Sequence, residues 1–395
     1  MTMPAPHPPA DPPLEQLPAW AAWLRLSLTP HIGAQTLRRL LQTFGSAASV
    51  LAQSPSTLMQ VVGSAQAQAL QTIPAEWLAC CRRTQAWLAQ SDAGVQHAVW
   101  TWADPQYPAT LLALEDPPAL LFARGQLAQM PGLSVAVVGS RNPTPQGREN
   151  ARALAHSLQS AGVCVVSGLA LGIDGAAHLG ALQAAPSSST CATIAVVGTG
   201  LDQVYPRAHQ ALAQQVAAQG CLLSELPPGT PPLAHHFPRR NRLIAALSSG
   251  VLVVEAAMKS GSLITAELAL AMGKDVMAVP GSIHSPLSRG CHSLLRQGAK
   301  LVESAQDVLE ELPVSSPMTT VTARTEDKAN DTHAMPSDAA QRAVCEALGH
   351  DPQPLDVLLW RSGLGIEEAM CALHDLSQAG KVAEMPGGMY QCLVR

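Results

Sequence analysis

The sequence is short of charge and of two of the aromatics. Only 13% of its 395 residues are Asp, Glu, Lys or Arg, and Phe and Tyr occur three times each against a hydrophobic content of 47%. No region is strongly basic. Lys and Arg number 5 against 4 Asp and Glu over 1–100, 13 against 14 over 101–312, 2 against 3 over 313–336 and 4 against 8 over 337–395. That balance excludes a broad positive field, so any anion site must be a local convergence of arginines. The nine cysteines include no CxxC pair and no Cys/His metal spacing, which argues against a disulfide framework and a structural zinc, and their odd number suits a reducing cytoplasm. No run approaches the ~18 apolar residues of a membrane span. The opening MTMPAPHPPADPPLEQLP lacks the basic and apolar regions of a signal peptide. The expectation is a soluble, cytoplasmic protein.

What is present is a change of pattern along the chain. Residues 1–16 are Pro-rich and expected to be disordered, and 17–95 carry helical spacing. Within them LSLTPHIGAQTLRRLLQTFG reads as a helix-hairpin-helix, with Pro30 and Gly33 at the turn and Thr36 as a cap for the second helix. Arg38 and Arg39 are the cations near that turn, so a protein-interaction module fits at least as well as a phosphate contact. Over 100–312 short β-branched runs alternate with helix-length segments: 134–140, 163–168, 193–198, 221–225, 250–256, 275–280 and 300–304. Continuously apolar strands joined by crossovers predict an α/β fold with a doubly wound, Rossmann-like parallel sheet. Ligands of such sheets sit outside the carboxyl ends of the strands. Residues 313–336 read as a flexible linker, and 337–395 as three helices and a hairpin, a winged helix too acidic to attract phosphate.

Four loops carry the chemistry. In VVGSRNPTPQG, Gly139 turns the chain, Ser140 offers a hydroxyl and Arg141 a planar five-donor fork ahead of a helix N-terminus, which suits phosphate or carboxylate. It is not a dinucleotide fingerprint, and GTGLDQ at 198–203 lacks the third glycine of one, so no cofactor is expected. In SGLALGIDGAAHLGAL, Gly168 and Gly172 precede Asp174 and His178, spaced i, i+4 as an acid/base pair would be. The simpler reading makes Asp174 a structural cap and His178 a packed residue. Ser167 and Ser260 lack a nucleophile elbow, and Cys164 lies inside a strand. The third loop, FPRRNR, supplies Arg239, Arg240, Asn241 and Arg242; the fourth, EAAMKSGSLITA, supplies Glu255, Lys259, Ser260 and Gly261 before a helix. A carboxylate at the rim of an anion site needs a cation, so an arginine of the third loop, Arg242, is expected to neutralise Glu255.

These stretches, with YPATLLALEDPPALLFARG (107–125) and VPGSIHSPLSRGCHSLLRQGA (279–299), closely resemble the DprA/Smf family of DNA-processing proteins over about 107–303. The resemblance implies binding of single-stranded DNA by an extended Rossmann-like domain, loading of the RecA recombinase in natural transformation, action as a homodimer, and no enzymatic activity, metal or membrane contact. Matched motif by motif, it implies a positive pocket walled by Gly139, Ser140 and Arg141, with backbone approach at Ser167, Gly168 and Gly172. Arg239, Arg240, Asn241, Arg242 and Lys259 would complete it, and 290–302 would serve self-association and the recombinase. Phe237 and the arginine planes are the available stacking platforms. Two other classes compete. A nucleotide-phosphate hydrolase of a related Rossmann-like family would show a PGGxGT loop, whereas Pro280 is followed by Gly281, Ser282 and Ile283. A pure adaptor would show no strand binding.

Overall fold

The computed structural model describes residues 17–90, 94–127, 131–184, 191–312, 339–349 and 352–393. The expectations for 1–16 and 313–336 fall outside them. All seven apolar runs are strands: β3 (Ser134–Val138), β4 (Cys164–Ser167), β5 (Thr193–Val196), β6 (Cys221–Ser224), β7 (Gly250–Val253), β8 (Asp275–Ala278) and β9 (Lys300–Leu301). Every residue of β3 to β7 is buried, as strands covered by helices on both faces must be. Two strands precede them, β1 (Gln96–Thr101) and β2 (Leu120–Gly125), giving the order β1-β2-β6-β5-β4-β3-β7-β8-β9. The sheet is therefore mixed. β1 and β2 pair antiparallel with each other, and β2 antiparallel with β6, while β3 to β9 are parallel.

This order fixes where a ligand can sit. β3 pairs with β4 on one side and β7 on the other, Val135 opposite Gly250 and Val138 opposite Val253. From β3 the chain winds outward through β4, β5 and β6, and from β7 the opposite way through β8 and β9. The loops leaving β3 and β7 consequently diverge, and a crevice opens between them at the carboxyl end of the sheet.

The N-terminal helices are Ala19–Leu28, Ala34–Phe44, Ala47–Leu51, Pro55–Leu58, Ser64–Gln71 and Trp77–Leu88. The second begins at Ala34 with Gly33 as its N-cap, so Thr36 is not the cap; its hydroxyl accepts from Gln66 Nε2 at 3.3 Å. These helices share one apolar cluster with the sheet: Trp23, Trp77 and Trp87 pack in the same core as Leu120, Phe122 and Leu222. Arg38 donates to the carbonyls of Leu112 and Leu114 at 2.5 and 2.8 Å and lies over the Trp102 ring. It fastens the helices to the central domain. At the other end, helices Ala339–Leu348, Leu355–Ser362 and Ile366–Gln378 pack against β10 (Gln353–Pro354), β11 (Val382–Met385) and β12 (Met389–Cys392) around Val344, Leu358 and Leu373, which is a winged helix.

Candidate nucleic-acid interface

At the crevice the β3 loop is tied down from both sides. Ser140 N donates to the carbonyl of Glu255 at 2.7 Å, and the Ser140 carbonyl accepts from Ile173 N at 3.1 Å. Gly172, at φ +82°, lies so close that a Cβ would fall 2.3 Å from the Ser140 carbonyl oxygen. Close approach at Gly139 and Gly172 thus seats the loop, while Ser140 is buried with its hydroxyl accepting from Asn142 N, and Arg141 projects outward, exposed. Its guanidinium lies 5.7 Å from the centroid of Phe237, whose ring is 5.4 Å from that of Tyr205. Together they line a cleft of about 720 Å³ that also takes in Asp174, Arg240, Asn241, Lys259 and the Ser260–Ser262 turn.

FPRRNR is not a loop. It is the start of helix His236–Leu247, with Pro238 in the first turn, where no backbone donor is required. Helical spacing then sorts its residues. Phe237, Arg240, Asn241 and Ile244 recur at i, i+3, i+4 and i+7 and all line the cleft. Arg239 and Arg242 lie on the other side and meet Glu225 at 3.4 and 2.5 Å, and Arg242 also reaches Asp116 at 3.4 Å. Burial pushes the Glu225 carboxyl above its ordinary value against the pull of Arg242. Arg242 is thus buried in an ion pair away from the cleft, and Arg239 is exposed outside it.

Arg240 is only 4% exposed. Its Nη1 donates to the Val196 carbonyl, and the guanidinium lies where a side chain at residue 168 would otherwise be, so Gly168 is present to admit it. Desolvation lowers its pKa to about 10, with Asp174 pulling the other way, and it remains charged at neutral pH. Asp174 is a cap: its Oδ2 accepts from Gly168 N and Ala170 N at 3.1 and 3.4 Å, and burial raises its pKa while Arg240 opposes. His178 is wholly buried, with Nδ1 2.7 Å from Thr193 Oγ1, so the pair serves the fold. Ser167 is also fully buried, donating to the Val137 carbonyl at 2.7 Å; it stands behind the cleft wall and does not reach its surface.

Among the described residues Glu255 has no arginine partner. Its carboxylate accepts from Thr144 N at 2.9 Å and from the Thr144 hydroxyl, at the N-cap of helix Pro145–Ser160. A Cβ at Gly147 would lie 2.3 Å from the carboxylate, so glycine there lets the acid rest on the helix N-terminus. The Thr144 amide and hydroxyl, with the helix dipole, replace the expected cation. Lys259 is exposed at the cleft, Ser260 caps helix Gly261–Ala271 by accepting from Ser262 N, and Asn241 Nδ2 donates to the Gly261 carbonyl at 3.2 Å. Tyr205 is an aromatic lining residue missing from the sequence reading; its signal was a position in the loop that follows a parallel strand, two strands from the switch point.

A mixed Rossmann-like sheet with three cations and two aromatics at its switch-point cleft, carried between a helical domain and a winged helix, defines a class of anion-binding protein. Residues 98–313 match the family model described as DNA recombination-mediator protein A, residues 18–79 the DprA-like N-terminal HHH domain and residues 328–388 the DprA winged helix domain. Protein Smf of Escherichia coli is 40% identical over 298 residues, covering 71% of this chain and 74% of that protein. DNA processing protein DprA of Streptococcus pneumoniae is 50% identical over 208 residues, 53% of this chain and 72% of its own. The X-ray structure of DprA from Streptococcus pneumoniae superposes with a TM-score of 0.63 at 37% identity, over 75% of this chain and 99% of that one. The chain belongs to the DprA/Smf family of DNA-processing recombination mediators. Among the described residues no helix is long and apolar enough to cross a membrane.

Proposed function

We propose that the cleft holds single-stranded DNA, with Arg141, Arg240 and Lys259 drawing phosphate and Tyr205 and Phe237 stacking on bases. The observation that carries this reading is the Arg141–Phe237–Tyr205 cluster in a cationic cleft, with the Phe237 and Tyr205 rings tilted by 40°. A base can stack there only with its face free, which favours an unpaired strand over a duplex. The N-terminus of helix Gly261–Ala271 opens on the same cleft and adds its dipole. The strand is bound and not broken, and it is handed to the RecA recombinase in the cytoplasm. The chain acts as a homodimer through 290–302, a segment supported for that role by the half-exposed Leu301 on β9, a sheet edge with β8 as its neighbour.

The test is fluorescence anisotropy with single-stranded and duplex oligonucleotides across a salt series. The single strand should bind more tightly, with a log–log salt slope of about −0.7 per phosphate neutralised. Arg141→Ala should weaken it by about tenfold or more, the worth of a charge-assisted hydrogen bond, with the unfolding temperature unchanged because Arg141 is exposed. Equal affinity for duplex, or indifference to Arg141→Ala, rejects the reading.

A further inference from the structure

We propose that Arg83, on the N-terminal helix Trp77–Leu88, is a positioning residue for the two aromatics of the cleft, an inference that rests on the strand-binding reading above. Its Nε donates to the Pro228 carbonyl at 3.2 Å, across 145 residues of chain, and its Nη2 to Cys80 Sγ at 2.9 Å, one turn back on the same helix. The fit is close. Gly229 has φ +92°, and a Cβ there would fall 2.7 Å from Arg83 Nε, so only glycine lets the 227–230 turn come this near.

That turn is the middle link of a chain of contacts that ends at the cleft. Gly229 N donates to Asp202 Oδ1 at 2.9 Å, and the Thr230 carbonyl accepts from Gly200 N at 3.0 Å and from Gln203 Nε2 at 2.8 Å. Asp202 and Gln203 belong to the loop after β5 that carries Tyr205. The turn itself runs on through Pro232 and Ala234, which line the cleft, into the helix whose first turn carries Phe237. Arg83 thus fastens two loops at one point, and the Tyr205 and Phe237 rings, 5.4 Å apart, stand beyond it. Leu201 and Val204 of the first loop also pack in the apolar cluster of Trp77 and Cys80, so the helical domain holds that loop a second time. Arg83 does not itself line the cleft; its charge serves a backbone carbonyl and not a phosphate. Loops take their geometry from the scaffold that seats them, and rings already held in place receive a base without being ordered by it.

The full-length protein is titrated into a single-stranded oligonucleotide carrying 2-aminopurine, whose fluorescence falls when the base stacks, and anisotropy is followed across a salt series. Tyr205→Ala should weaken binding about fivefold or more, the worth of one stacked base. Arg83→Ala should weaken it about threefold, with less quenching and an unchanged salt slope, because ring placement is lost and no phosphate contact is. Arg83 is exposed, so the variant folds. Arg83→Lys, which keeps a donor for the Pro228 carbonyl, should recover both readouts, and Arg83→Ala should cost nothing further in a Tyr205→Ala, Phe237→Ala background. Wild-type affinity and quenching in Arg83→Ala, while Tyr205→Ala loses both, overturns the positioning role alone. Additive losses in the combined variant, or a salt slope reduced by about 0.7 in Arg83→Ala, also overturn it, the latter by making Arg83 a phosphate ligand. Full affinity in Tyr205→Ala and in Phe237→Ala would reject the stacking reading itself, and this inference with it.

Discussion

The two faces of helix His236–Leu247 put the same side chain to opposite uses. Arg240 and Arg242 are nearly equally buried, at 4% and 8% exposure, yet two residues of α-helix turn them about 200° apart. One face meets the cleft, where Arg240 stands near a carboxylate that is already occupied as a loop cap. The other meets Glu225 and Asp116, which neutralise Arg242. Burial alone therefore does not say what an arginine does. An acid within reach whose own hydrogen bonds are not already taken makes it structural, and its absence leaves charge for a ligand.

The comparison fails most visibly if Glu225 is removed. Glu225→Ala leaves Arg242 largely uncompensated in a buried site and should cost about 3 kcal/mol in urea unfolding, while the affinity of the folded fraction for a single strand is unchanged. A loss of strand affinity with stability intact would reverse the assignment of the two faces. Beneath the cleft face, burial, with His209 and Arg240 adding to it, lowers the pKa of His178 from 6.5 to about 3. The unfolded chain takes up a proton that the folded one refuses, so this stability is complete above pH 6.5 and is lost as pH falls from 6.5 towards 3. By pH 5 the loss should reach about 2 kcal/mol, and it should be missing from His178→Gln. Parallel pH curves for the two proteins would refute it.

Smaller effects separate the exposed cations. Lys259→Ala, at the cleft, should weaken strand binding by about threefold to tenfold for every sequence alike and reduce the salt slope by about 0.7. An unchanged slope would remove Lys259 from the phosphate path. Arg239→Ala should do least: its pair with Glu225 spans 3.4 Å and its side chain is 58% exposed, so stability should stay within about 0.5 kcal/mol and affinity within about twofold. A Lys259-sized loss would mean that the strand wraps around the helix to its far side.

The sheet was legible because strands buried on both faces leave unbroken apolar runs. β1 left none, since QHAVWT opens with two polar residues and is only half-buried, and β2 left only the four residues LLFA before Arg124 and Gly125. The site residues were legible as a set but not as a geometry. Pro238 made FPRRNR look like a loop, although a first-turn proline breaks no helical hydrogen bond, and without the helix its period could not separate Arg240 from Arg242. Glu255 was assigned a cation because a lone carboxylate is costly, whereas backbone amides at a helix start meet the same need, and sequence does not show which helix start lies across the sheet.

The strand order also has a consequence in time. β3 lies in the middle of the finished sheet, yet its β7 neighbour is made only after β4, β5 and β6 have been laid down on the other side. Until then β3 is an open edge, and Arg141 stands over a cleft without Lys259 opposite it. Lys259 and the Ser260–Ser262 turn follow β7, so a nascent chain stalled before Gly250 presents no completed cleft to DNA.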